Sequence, residues 1–162
     1  MTTLGTIVVA DDEVLARQSV AEVLQEEGYQ VYQAADGQTA LKILEDVDVD
    51  LILSDLRMPV ADGLAVLKKV RDVYPQTMVI LMTAYASVET VVEALRLGAQ
   101  DYLLKPVLFD DLLHKVRHLL EHKRQAWEIQ LLRREITRHF DFDGIVGRSP
   151  AMKEIFALTK KV

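Results

Sequence analysis

Five short apolar runs, each too short to be a helix, alternate with amphipathic stretches through the first hundred or so residues of this 162-residue chain. Few folds satisfy that pattern. The Val/Ile/Leu-rich runs at residues 6–10, 29–34, 49–54, 77–82 and 101–104 read as strands. Residues 13–27 read as a helix with Val14, Val20, Val23 and Leu24 inward, stopped by Gly28. Further helices are expected from Asp36-Gly37 to residue 46, over 63–74 before Pro75, and over 88–97 before Gly98. Strands that are apolar almost throughout belong to a parallel sheet covered on both faces and joined by right-handed crossovers, a doubly wound α/β architecture. With 50% of residues apolar, the chain has the material for such a core.

The stretch LILSDLRMPVADG, residues 51–63, fixes where this sheet does its work. Its apolar run stops at Asp55, and Pro59 and then Asp62-Gly63 forbid the strand from continuing, so Asp55 belongs at the lip of the sheet. Parallel sheets gather their chemistry at the carboxyl ends of strands. Asp11 and Asp12 follow the first run, Thr83 the fourth and Lys105 the fifth, and the topology brings them all to Asp55. Three carboxylates in one crevice repel, which raises a pKa or calls for a hard divalent cation; Mg²⁺, bound by oxygen, is the simpler account. Lys105 adds a point charge for an anion and Thr83 a hydroxyl donor. Asp55 is then the nucleophile that attacks a phosphoryl donor and becomes an aspartyl phosphate. Taken singly these residues are ordinary: Asp-Asp caps a helix, Thr closes a turn, Lys-Pro makes a surface turn. Four strand ends carrying complementary groups is more than turn chemistry requires.

VVADDE, SDLRMPVADG, MTAYAS and DYLLKP resemble, in kind, order and spacing, the motifs of the receiver domain of bacterial two-component response regulators, over roughly residues 4–120. The resemblance implies a flavodoxin-like five-stranded sheet of order 2-1-3-4-5, and phosphoryl transfer to Asp55 from the phosphohistidine of a sensor histidine kinase. It implies Mg²⁺ held by the Asp12 and Asp55 side chains, the Arg57 carbonyl and waters, one of them fixed by Asp11, with Thr83 and Lys105 on the phosphoryl oxygens. It also implies a cis Lys105–Pro106 bond. In the switch it implies, Thr83 moves toward the phosphoryl group and Tyr102, the aromatic of the fifth strand, turns into the vacated space. From the residues alone Tyr102 is equally a half-buried strand residue with a wetted hydroxyl, and Tyr85 either limits access to the site or packs on the surface.

From Phe109 the pattern stays helical to about Arg138 without Gly or Pro, about 45 Å if continuous. Leu113, Val116, Leu120 and, past a charged interruption at Lys123, Trp127 and Leu131 form a stripe near heptad spacing; Ile129, Leu132 and Ile136 form another. The expectation is an extended linker helix in a homodimeric coiled coil, with the first stripe as dimer interface; the alternative is a helix folded back on its own domain. Residues 150–162 read as a new amphipathic helix after a loop, and GIVGRSPAMKEI resembles the start of the AAA+ ATPase domain of NtrC-type, sigma-54-dependent transcriptional activators. The division expected is a receiver over 1–120, a linker over 121–140 and a truncated AAA+ start over 141–162, too short to fold alone. With no G-x-x-x-x-G-K-[ST] in the chain, the expected role is a phosphoacceptor signalling domain and not an ATPase. An AAA+ ring, sigma-54 RNA polymerase and DNA are partners expected of a longer protein, whose ring the receiver either restrains or assembles.

Charge and composition narrow the remaining classes. Up to residue 108 there are eight Lys/Arg against seventeen Asp/Glu, and from 109 to 139 seven against five. The acidic part repels nucleic acid, and a helix of mixed sign with little aromatic interleaving is a poor DNA reader. The absence of cysteine removes thiolate nucleophiles, thiolate metal sites and disulfides. With no signal-peptide pattern at the N-terminus and no apolar run of spanning length, a cytoplasmic setting without a membrane partner is expected. His114, His118 and His122 share a helical stripe, a spacing a zinc site can use, but without converging carboxylates or thiolates they read as a solvated helix face. Two functions of other classes stand beside the switch. A Mg²⁺-dependent phosphohydrolase of the haloacid dehalogenase kind wants a second acid two residues past its nucleophile, where this chain has Arg57. A dimerisation module that never takes up phosphate has no need of the full set Asp11, Asp12, Asp55, Thr83 and Lys105.

Overall fold

Alternate residues of each central strand face opposite ways, and both directions are apolar here, so the sheet must be covered twice. The computed structural model describes residues 3–85 and 87–142, with side chains through Arg138. Its elements are β1 (Thr6–Ala10), α1 (Val14–Glu26), β2 (Gln30–Ala34), α2 (Gly37–Asp46), β3 (Leu51–Asp55), α3 (Gly63–Val73), β4 (Met78–Thr83), α4 (Val88–Arg96), β5 (Asp101–Leu104) and α5 (Phe109–Phe142). The strands pair in parallel in the order β2-β1-β3-β4-β5, which meets the expected flavodoxin-like topology. On one face Val8, Ala10, Ile52, Val79 and Leu81 pack with Ala40 and Leu44 of α2, Val66, Leu67 and Val70 of α3 and Ala94 of α4. On the other, Ile7, Val9, Leu51, Leu53, Ile80, Met82 and Leu103 pack with Val20 and Leu24 of α1 and Leu112, Val116 and Leu120 of α5.

The helices begin and end where the local chemistry dictates. Asp36, Asp62 and Ser87 each accept from the backbone N–H three residues on, at 2.7, 2.8 and 3.1 Å, and so cap α2, α3 and α4. Gly28 and Gly98 take φ values of +103° and +105° just past α1 and α4, a conformation that favours glycine. One inward assignment is corrected. Val14 lies in the first turn of α1 and is exposed, because the packing face of that helix is Val20, Ala21 and Leu24.

The chain divides into two units, Met1–Leu120 and Glu121–Val162. The first contains the sheet and the opening turns of α5, and it corrects the dimer stripe. Val116 and Leu120 are buried in the receiver's own core, and Leu113 packs against it, so these three serve intramolecular packing. In the second unit Trp127, Ile129, Leu131, Leu132 and Ile136 are exposed on α5. The expected AAA+ start over 141–162 lies outside the described residues apart from the last helical positions. Among the described residues no helix is long and apolar enough to cross a membrane.

Gly63 opens α3 directly beneath the loop that follows β3. A Cβ there would stand 2.6 Å from the Asp55 carbonyl oxygen and 2.9 Å from Leu56 Cα, both backbone atoms that cannot swing aside. Gly63→Ala is therefore expected to lower stability by about 1–3 kcal/mol, as overpacking does, read from urea unfolding midpoints at unchanged slope. An unchanged midpoint would show that the loop yields freely.

Candidate functional site

The register sets the strand ends side by side. Ala10 pairs with Ser54, Asp55 with Met82, and Thr83 with Leu104, so the residues that close β1, β3, β4 and β5 form one edge. Asp11 and Asp55 are 1% and 8% exposed, two carboxylates withdrawn from water at that edge, while Asp12 stays exposed. Lys105 answers both buried acids: its Nζ lies 2.8 Å from Asp11 Oδ2 and 2.9 Å from Asp55 Oδ2. The Lys105–Pro106 bond is cis, and the Lys105 N–H donates to the Thr83 carbonyl at 2.8 Å, tying the end of β5 to that of β4.

Second contacts hold these groups in place. Asp11 Oδ1 accepts from the Glu13 N–H at 3.0 Å, its carbonyl accepts from Arg17 Nη1 at 2.7 Å, and Asp55 Oδ1 accepts from the Arg57 N–H at 3.3 Å. Burial is the largest influence on the Asp55 carboxyl and pushes its pKa up; the hydrogen bond and charge of Lys105 pull it down, and the Asp11 charge pushes it up again, leaving it above its ordinary value. For Lys105, burial alone lowers the pKa, but hydrogen bonds and charge from Asp11 and Asp55 overcome it and hold the ammonium above its ordinary value. It stays cationic.

Asp11, Asp12 and Asp55 each offer an oxygen, and these oxygens lie within 4.8 Å of one another. The set suits a hard divalent cation. All three donors are carboxylates, and one ammonium among them leaves positive charge in deficit. No other trio of potential metal ligands among the described residues gathers in this way; His114 and His118 stack with ring centroids 6.5 Å apart on an exposed helix face.

A matching family model decides what this edge belongs to: the response regulator receiver domain covers residues 7–117. The chain belongs to the response regulator receiver family. The chain is 39% identical over its full length to the regulatory protein AtoC of Escherichia coli K12, of which it covers 35%. It is 32% identical, over 95% of its length, to the DNA-binding transcriptional regulator NtrC of the same strain, of which it covers 32%. It thus spans about a third of the length of these curated relatives. A CheY-like receiver from Methanospirillum hungatei superposes with a TM-score of 0.73 at 33% identity, over 76% of this chain and 99% of that one. Receivers are signalling domains, and this one carries the acidic cluster at the strand ends.

Around that cluster the receiver holds residues that sequence reasoning foresaw only in part. Thr83 is buried at the end of β4, but its Oγ1 accepts from the Tyr85 N–H and donates to the Tyr85 carbonyl, each at 3.1 Å. Its hydroxyl is committed to its own loop. Tyr85 is exposed, and the Arg57 guanidinium carbon lies 5.6 Å from its ring centre, so the loops after β3 and β4 meet across the site. Arg17, missed in the sequence, secures the Asp11 backbone and also reaches Gln33 Oε1 at 3.3 Å. Its only signal is a lone cation six residues past Asp11 in a helix otherwise acidic or neutral.

A carboxyl whose folded pKa lies above the unfolded one costs stability as pH rises from the ordinary 3.8 through the folded value. In metal-free buffer Asp55→Asn is expected to raise Tm at pH 7, with the gain fading as pH falls into the carboxylate range, measured by calorimetry. A lower Tm than the parent at pH 7 would contradict the burial cost assigned to the Asp55 carboxylate.

Proposed function

We propose that this receiver accepts a phosphoryl group on Asp55 from the phosphohistidine of a sensor histidine kinase, and that the modified site switches the chain's dimer to control a downstream ATPase. The observation that carries the reading is Lys105 between Asp11 and Asp55, a mobile cation already seated on the carboxylate to be modified. An Asp55 oxygen forms the new O–P bond while the donor's P–N bond breaks and leaves its electron pair on the imidazole nitrogen. Lys105 transfers its charge from a carboxylate oxygen to a phosphoryl oxygen. Thr83 exchanges its bonds to the Tyr85 backbone for one to the phosphoryl group, and Tyr102 follows into the space Thr83 leaves. Asp11, Asp12 and Asp55 with the Arg57 carbonyl would hold Mg²⁺, which when bound neutralises charge between the two anionic reactants.

The rest of the chain is read accordingly: receiver over 1–120, helical linker over 121–140, and the beginning of an AAA+ domain over 141–162. Trp127 and Leu131, both exposed, are the part of the heptad stripe left for a linker coiled coil in a homodimer. Sigma-54 RNA polymerase and DNA are partners of the longer protein, acting in the cytoplasm, and this chain's own chemistry is confined to taking up and losing the phosphoryl group.

Light scattering with Mg²⁺, with and without the phosphoryl mimic beryllofluoride, tests the switch. A change in mass or dimer stability with the parent chain, absent from Asp55→Ala, is expected; no change in either, with no Mg²⁺-dependent binding, would leave a constitutive module. Trp127→Ala with Leu131→Ala is expected to weaken the dimer at least about tenfold, as loss of central interface anchors does, and an unaltered dimer constant would move the interface off the linker.

A further inference from the structure

Lys115 of α5 gathers four interactions on one ammonium. Its Nζ donates to the Tyr102 carbonyl at 2.8 Å and lies 5.3 Å from the centre of the Tyr102 ring. It also stands 3.5 Å from Asp101 Oδ1 and 3.6 Å from Asp111 Oδ2. Asp111 is one turn earlier on the same helix, and Asp101 and Tyr102 are the first two residues of β5, an edge strand. The carbonyl accepts a hydrogen bond and the two carboxylates add charge attraction. The remaining contact is with an aromatic ring, where the attraction lasts only while the ring keeps its orientation. The carbonyl bond, by contrast, is indifferent to the Tyr102 rotamer. Thr83 meanwhile keeps its hydroxyl in its own loop, so the Lys115–Tyr102 ring contact is made together with the Thr83 arrangement that the proposed switch would leave.

We propose that Lys115 is a positioning residue that latches Tyr102 in the unswitched arrangement and so sets how readily the receiver responds to a phosphoryl group. The inference rests on the reading of Asp55 as phosphoacceptor and Tyr102 as its follower, and adds a residue that opposes the switch. A contact made in only one of two states biases the equilibrium toward that state, and a ligand that favours the other state binds more weakly for it. Lys115 therefore weakens the apparent affinity for a phosphoryl mimic although it touches neither Asp55 nor the acidic cluster.

The test is isothermal titration of beryllofluoride into the 162-residue chain in Mg²⁺, joined to NMR of the Tyr102 ring without beryllofluoride. Lys115→Met keeps the stem and removes the charge; it is expected to tighten binding about two- to fivefold, the equivalent of a partly exposed cation–ring contact. Its Tyr102 signals are expected to move toward the beryllofluoride-bound positions. Lys115→Arg, which keeps a cation over the ring, is expected to match the parent. In a Tyr102→Ala background Lys115→Met should leave affinity unchanged, a result a general loosening of α5 would not produce. Equal affinity and unmoved ring signals in Lys115→Met would overturn the latch while leaving Asp55 as phosphoacceptor. No binding by the parent chain would overturn that reading, and the latch with it.

Discussion

Two buried carboxylates share one ammonium, and the arrangement of the receiver follows from keeping that unit together. Asp11 just past β1 and Asp55 at the end of β3 lie on neighbouring central strands, and withdrawing both from water is costly unless a cation reaches them. Lys105 can do so because β5 lies on the far side of β4, and its N–H is anchored to the Thr83 carbonyl. One positive charge against Asp11, Asp12 and Asp55 does not balance the site, and burial, with the Asp11 charge adding to it, lifts the Asp55 pKa despite Lys105. That shortfall of positive charge suits a divalent cation and, in the proposed reaction, an anionic group beside it.

The same parts connect the edge to the surface. Thr83 ends β4 and holds the loop that carries Tyr85; Tyr102 begins on β5, paired with Leu81 of β4. In the proposed reaction a phosphoryl group that draws on Lys105 and Thr83 would pull at two adjacent strand ends. Only contacts that differ between the two arrangements can shift the balance, which is why the proposed latch is placed on the Lys115 ammonium over the half-buried Tyr102 ring.

The sheet and the gathering of Asp11, Asp55, Thr83 and Lys105 were legible because both rest on local pattern. Apolar runs mark strands, and polar residues immediately after them can lie only at the edge. Strand order was not legible from periodicity and came through the family resemblance. Val14 was misread because a helical stripe does not reveal where along the helix packing begins, and here it begins past the first turn, at Val20, Ala21 and Leu24. Val116 and Leu120 satisfy a heptad and a helix-on-sheet face equally well, and burial in the receiver core settled the choice. The bonds of Thr83 to its own loop, and Arg17 on the Asp11 carbonyl, depend on side-chain directions that spacing does not encode. Val60, in the loop after Asp55, has φ of +70°, a strained setting for a β-branched residue that no local preference foretells.

The central claim is covalent modification of Asp55, and chemical trapping addresses it most directly. The chain is incubated with Mg²⁺ and acetyl phosphate, reduced with borohydride, which converts an acyl phosphate to an alcohol, and mapped by peptide mass spectrometry. Reduction confined to Asp55, lost without Mg²⁺ and sharply diminished in Lys105→Ala, is the predicted result. An unmodified Asp55 under conditions where acetyl phosphate is consumed, or reduction at another carboxylate, would contradict it.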